Sequence, residues 1–172
     1  MALIVESGSI VPGAESYCTV AFANTYHASR GNTAWEALDD ADDKEPALRR
    51  ATDYMLQTYR GRWKGYRVSS TQPLNWPREA VVLGDGPNNY GDVVANTIVP
   101  LEVKNACAEY ALRAVTSQLA ADLTRGTLSE SVGEISVTYD PASPQYARYR
   151  AVDAVLAPYL TSSGSMTRLV RS

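Results

Sequence analysis

PLEVKNACAEYALRAVTSQLAADLTRG, residues 100–126, is the longest run of the chain without an internal Gly or Pro. Pro100 suits a first helical turn, where its missing N–H has no acceptor to serve, and Gly126 after Arg125 reads as a C-terminal stop. Leu101, Ala108, Leu112, Val115, Leu119 and Leu123 recur at helical steps, and Val103, Cys107, Tyr110, Ala111 and Ala114 form a second row beside them. The two rows make a wide apolar face, which predicts a central helix over about 100–125 with neighbours on more than one side. About eight large side chains on it, at roughly 1.5–3 kcal/mol each when buried, would form the largest block of core.

Working outward, Lys44 to Tyr59 reads as the second core helix, with Pro46 in its first turn. Leu48, Ala51, Thr52, Met55, Leu56 and Tyr59 form its inner stripe, and Arg49, Arg50, Asp53 and Gln57 face the other way. The acidic run 39–43 lacks the alternating oxygens, Gly bend and terminal Glu of a calcium loop, so Asp42 or Asp43 reads as the helix cap. An earlier helix, capped by Ser16 or Thr19, extends to Arg30 and closes at Gly31. His27, the single histidine, reads as a helix-surface or rim residue, because one imidazole cannot build a metal site alone. Ala34 to Leu38 is a short helical turn anchored by Trp35. ALIV at 2–5 reads as a β-strand, Pro12-Gly13 as a turn, and 128–140 as a strand or hairpin with a bulge at Gly133. A last helix is expected from Pro144 or Gln145 to about Leu160.

Composition narrows the function classes. The 172 residues suffice for one domain plus extensions, and the net charge of −3 argues against a strongly basic nucleic-acid binder while allowing a local patch. Eleven Tyr against one Phe favour surfaces that meet a partner. Cys18 and Cys107 are far apart and read as buried free thiols of a reducing compartment. No apolar run is long enough to span a membrane, which points to a soluble protein. No catalytic set, cofactor motif or metal-ligand spacing emerges, so an enzyme is not expected.

The segment 60–77, RGRWKGYRVSSTQPLNWP, interleaves Arg60, Arg62, Lys64 and Arg67 with Trp63, Tyr66 and Trp76. Aromatics can stack on bases and cations can neutralise phosphates, so this stretch is a candidate grip for single-stranded nucleic acid. Equally, Trp63 and Trp76 can pin an irregular loop to the helices while the cations stay in water. The Gly/Asn-rich GDGPNNYGD at 84–92 is a turn or excursion, without the Lys and spacing of a phosphate loop. Past Thr161 the composition is that of a linker, and Ser165, Met166, Arg168, Leu169, Val170 and Arg171 make a candidate docking peptide.

Six stretches together resemble a known family: MALIVESGS (1–9), AESYCTVAFANTYHASRGNTAW (14–35), ALRRATDYMLQTYRGRWKGYRVSSTQPLNWPR (47–78), IVPLEVKNACAEYALRAV (98–115), SESVGEISVTYD (129–140) and AVDAVLAPYL (151–160). They resemble the head–tail connector, or neck adaptor, proteins of long-tailed bacteriophages, in the subgroup labelled DnaT-like single-stranded-DNA-binding proteins. That resemblance implies a mainly α fold: a small helical bundle around the long central helix, with a short hairpin or strands. It implies a helical adaptor domain over 1–160 and an extended C-terminal arm over 161–172, with Ser165 and Met166 in the portal-binding part. The implied role is structural: a dodecameric ring below the portal, assembled in the host cytoplasm, that completes the DNA-filled head. Its implied partners are the portal protein, its own copies, a tail or further neck protein, and the packaged DNA. The competing reading is a single-stranded-DNA-binding replication accessory protein.

Overall fold

The computed structural model describes residues 2–85, 91–122, 129–132, 135–138 and 148–161. The chain is helix-rich. Its α-helices are α1 (Val20–Ala28), α2 (Thr33–Glu36), α3 (Glu45–Tyr59), α4 (Leu101–Thr116) and α5 (Arg150–Leu156). Three two-stranded antiparallel pairs accompany them: β1 (Tyr66–Arg67) with β2 (Arg78–Glu79), β3 (Val82–Leu83) with β4 (Asp92–Val93), and β5 (Ser129–Val132) with β6 (Ile135–Thr138). A hairpin over 129–138 therefore forms as the alternation predicts; the bulge expected at Gly133 and the candidate docking segment from Ser165 onward lie outside the described residues, as do residues 86–90 of the Gly/Asn-rich stretch.

The core lies chiefly between α3 and α4, which pack on each other more extensively than any other two helices. Leu48, Ala51, Thr52, Met55 and Tyr59 of α3 are buried, as the inner stripe predicts, against Val103, Cys107, Tyr110, Ala111 and Ala114 of α4. α5 and α1 also flank α4, so α4 has neighbours on several sides. Its expected length is corrected: α4 ends at Thr116, and Ser117 is extended at φ −150°, ψ 155°. Thr116 and Ser117 supply the reason. Both hydroxyls donate to the Arg113 carbonyl, at 3.2 and 3.3 Å, and such local bonds compete with helix continuation. Leu119 still reaches the core, from beyond the helix.

Other expectations are adjusted in the same way. ALIV is not a strand; Val5 alone forms a bridge, to Ser16. The N-terminal segment is organised instead around the buried Glu6 carboxylate, which accepts from the N–H groups of Gly8, Ile10 and Val11 at 2.8–3.0 Å. At Gly8, φ +110°, a Cβ would lie 2.1 Å from the Thr97 carbonyl oxygen, so the segment packs there only because that residue is glycine. Thr19 is the α1 cap, accepting from Phe22 N–H at 3.0 Å. Asp39, and not Asp42 or Asp43, takes the capping role before α3, accepting from Ala41 and Asp42 N–H in a wide turn over Asp40–Lys44. The last helix, α5, starts at Arg150, after the non-helical Arg148 and Tyr149, and runs into a 3-10 turn at Ala157–Tyr159; the expected start at Pro144 or Gln145 lies outside the described residues. Among the described residues no helix is long and apolar enough to cross a membrane.

Candidate nucleic-acid interface

The basic-aromatic segment follows α3, and its two tryptophans fold inward. Trp63 forms a bridge with Leu160, Lys64 N–H donates to the Tyr159 carbonyl at 2.9 Å, and Thr161 N–H donates to the Arg62 carbonyl at 2.7 Å. The stretch 159–161 thus straps the start of the loop to the body. Trp63 packs on Tyr59 and Trp76, with ring centroids 5.6 Å apart in each case, and Trp76 packs edge-on to Tyr159 at 5.7 Å. Both tryptophans are buried, and neither indole N–H has a hydrogen-bond partner among the described residues. Among the described residues, packing holds the rings.

Polar side chains close the rest of the loop. Gln72 donates to the carbonyls of Leu74 and Pro77 at 2.9 and 3.0 Å, and its carbonyl accepts from Ser69 N–H at 2.9 Å. Tyr17, buried in the N-terminal segment, accepts from Asn75 N–H at 3.1 Å; burial pushes its phenol well above the usual range. Arg78 is the clamp. The residue is 6% exposed, and its guanidinium donates to the carbonyls of Lys64, Asn75 and Gly65 at 2.8, 3.2 and 2.7 Å. A planar fork with five N–H groups can reach three carbonyls at once. Burial lowers its pKa, yet a guanidinium starts so high that it stays charged. Gly65 permits this closeness: at φ +63°, a Cβ there would lie 2.1 Å from the Glu79 carbonyl oxygen.

The loop therefore answers the two readings of its sequence separately. Trp63 and Trp76 are anchors and present no face on which a base could stack. Tyr66 alone among the three aromatics points outward, with 71% of its surface exposed. In the same segment Arg60 and Arg62 are exposed and Lys64 and Arg67 half-buried, with the Arg62 guanidinium 5.6 Å over the Tyr59 ring. Part of their bonding is internal: Lys64 reaches the Val82 carbonyl at 3.2 Å and Arg67 the Ser70 carbonyl at 2.6 Å. The strip is not uniformly positive, because Glu79 stands opposite Tyr66 across the β1–β2 pair. Arg78, Tyr17 and Asn75 were missed as loop-holding residues; the only hint in the sequence is an Arg placed directly after a Trp-Pro pair.

His27 is fully buried, against the expectation of a rim position. Its ring packs 4.8 Å from Trp35, Nε2 lies 3.0 Å from the Ala108 carbonyl, and Nδ1 lies 2.9 Å from the Asn32 amide nitrogen. A neutral ring donating from Nε2 and accepting at Nδ1 satisfies both neighbours, and burial lowers its pKa. The acidic turn is a capping structure, with Lys44 on Asp40 at 2.7 Å, and among the described residues no group of three or more His, Cys, Asp or Glu could hold a metal ion. A cleft of about 570 Å³ between α3 and the end of α4 is lined by Arg50, Asp53, Gln57, Val115 and Leu119 among others. Burial, and then the nearby Glu15 charge, raise the Asp53 pKa there.

No curated protein and no solved structure matches the chain. A sequence model of the family described as "Putative DnaT-like ssDNA binding protein" matches residues 1–172. The match spans every element described above, from the Glu6-centred segment to the strap at 159–161, and the chain belongs to that family.

Proposed function

We propose that the chain binds single-stranded DNA along the outer edge of the loop, with Tyr66 as the stacking residue and Arg60, Arg62, Lys64 and Arg67 on the phosphates. The observation that carries this reading is the outward Tyr66, in a segment that also carries Arg60, Arg62, Lys64 and Arg67, on a loop that Arg78 and the two tryptophans hold to the body. The description of the family supports the same ligand. One stacking platform is worth about 1–3 kcal/mol, and four phosphate contacts give a salt slope near 0.7 per contact for a single strand. Binding is consequently modest and steeply salt-dependent: affinity drops about 50-fold between roughly 50 and 200 mM salt. Anisotropy titration of a labelled oligothymidylate tests this; a flat salt response, or no binding at the lower salt, refutes it.

The charge layout along α3 favours a second reading, in which the chain is a structural subunit of the phage neck. Glu36, Asp39, Asp40, Asp42 and Asp43 are exposed before the N-terminus of α3, and Arg60 and Arg62 are exposed just after its C-terminus. A helix of 15 residues separates the two ends by about 22 Å. Opposite charges at opposite ends suit a heterologous contact between copies, the kind that closes rings, and charge of this sort sets register. In this reading the protein is not an enzyme, its partners are its own copies, the portal and a tail or further neck protein, and its place is the virion. Native mass spectrometry with and without portal rings separates the two readings: portal-dependent, salt-sensitive assembly without oligonucleotide binding selects the second.

A further inference from the structure

Arg50, Asp53, Gln57 and Arg60 follow one another at steps of three and four residues along α3 and its C-cap, and all four are exposed. Such steps place side chains on one face of a helix, and Arg60 keeps helical angles at φ −50°, ψ −42°. The face therefore runs unbroken from the start of the basic segment to the cleft of about 570 Å³ beside the end of α4. Arg60 and Arg50 stand about 15 Å apart along the helix axis.

The lining of the cleft is of two kinds. Arg50, Asp53 and Gln57 supply polar groups, and Tyr54, Val115 and Leu119 supply apolar and aromatic surface. Tyr54 is fixed by edge-on packing against Tyr110 and Tyr149, with ring centroids 4.9 and 5.8 Å away. Among the described residues no hydrogen bond or ion pair engages the side chain of Arg50, Asp53 or Gln57. Apolar surface with a few uncommitted polar groups suits a flat organic ring that carries hydrogen-bonding edges. Asp53 is the informative member. A carboxylate on a strip that holds phosphates repels them, so its use lies with a group that donates.

We propose that this cleft receives one guanine of the single strand whose backbone lies on Arg60 and the loop cations, an inference that rests on the DNA-binding reading above. Guanine alone among the four DNA bases presents two donors side by side, N1–H and N2–H, and two acceptors, O6 and N7, on the adjoining edge. The Asp53 carboxylate accepts from the two donors, and the Arg50 fork donates to O6 and N7. Gln57, one turn nearer Arg60, carries both a donor and an acceptor for the sugar and base that follow. Thymine sets a carbonyl oxygen against Asp53, and adenine and cytosine offer it one amino group beside a ring acceptor. The cleft therefore adds base preference to a loop that by itself reads none.

Anisotropy titrations of the full-length chain at low salt, comparing a labelled oligothymidylate with copies that carry one central guanine, adenine or cytosine, test the proposal. The guanine copy is expected to bind about 5-fold or more tighter than the others, the lower end for one good bidentate contact. Asp53→Asn and Arg50→Gln are each expected to abolish that advantage, whereas Tyr66→Ala weakens all four oligonucleotides and keeps it. No guanine advantage, or one that both substitutions leave intact, overturns the proposal. Should no oligonucleotide bind, the DNA-binding reading fails and the cleft is decided separately by NMR titration of the chain with guanosine and with thymidine. Guanosine is expected to shift the Gln57 side-chain amide and the backbone amides of residues 115–119, and thymidine to leave them in place. Any other pattern overturns the guanine site, as does self-association that covers these residues and shuts guanosine out.

Discussion

Replacing Arg78 with methionine should destabilise the protein far more than removal of any other cation in the basic segment. The methionine keeps most of the aliphatic volume but strands three carbonyl groups, those of Lys64, Gly65 and Asn75, that the guanidinium now satisfies. A hydrogen bond to a charged group contributes about 1.5–3 kcal/mol net, and a buried acceptor left without a donor costs about 1–3 kcal/mol. Relief from the cost of burying a charge offsets part of that sum, so the expected loss is about 3–5 kcal/mol. Against a typical stability of about 5–15 kcal/mol this is a large fraction. In urea, with a slope of about 2 kcal/mol per molar, the unfolding midpoint moves down by about 1.5–2.5 M. Arg60→Met, at an exposed position, is the matched control and should stay within about 0.5 kcal/mol of the parent. An Arg78→Met loss below about 1 kcal/mol would refute the clamp and with it the rigid loop.

Three further predictions follow from particular contacts. Tyr66→Ala should weaken oligonucleotide binding by about 5- to 150-fold, the equivalent of one stacked base, with unfolding unchanged in urea. Glu79→Gln, which removes the carboxylate opposite Tyr66, should tighten the same binding by a few-fold, read by anisotropy at low salt. Burial lowers the His27 pKa in the folded chain, so the unfolded chain takes up that proton first as pH falls. The stability His27 contributes is complete above its unfolded pKa of about 6.5 and is lost as pH drops from there through the lower folded value. Thermal melts between about pH 7.5 and 5 should show that decline, and His27→Gln should flatten it.

How far the sequence carried the fold depends on the range of the forces involved. The α3 stripe was legible because burial repeats at helical spacing, and Leu48, Ala51, Met55 and Tyr59 all lie inside. The end of α4 was not, because the hydroxyls of Thr116 and Ser117 turn back on Arg113, a local competition that an apolar row cannot reveal. His27 was misplaced because its partners, Trp35, Asn32 and Ala108, come together only in three dimensions. The candidate site shows the same divide. Its alternation of cations and aromatics was visible, but which aromatics anchor and which face water depends on the strap from 159–161 and on the carbonyls gathered around Arg78. A charged residue so deeply buried contradicts composition-based reasoning. Only the folded loop supplies its acceptors.

The most direct test of the proposed interface is photocrosslinking of a bromodeoxyuridine-substituted oligonucleotide to the full-length chain at low salt, followed by peptide mapping. The account predicts an adduct on Tyr66, lost in Tyr66→Ala and suppressed by added salt, with Trp63 and Trp76 unmodified. Adducts on either tryptophan, adducts confined to another surface, or none at all would contradict it.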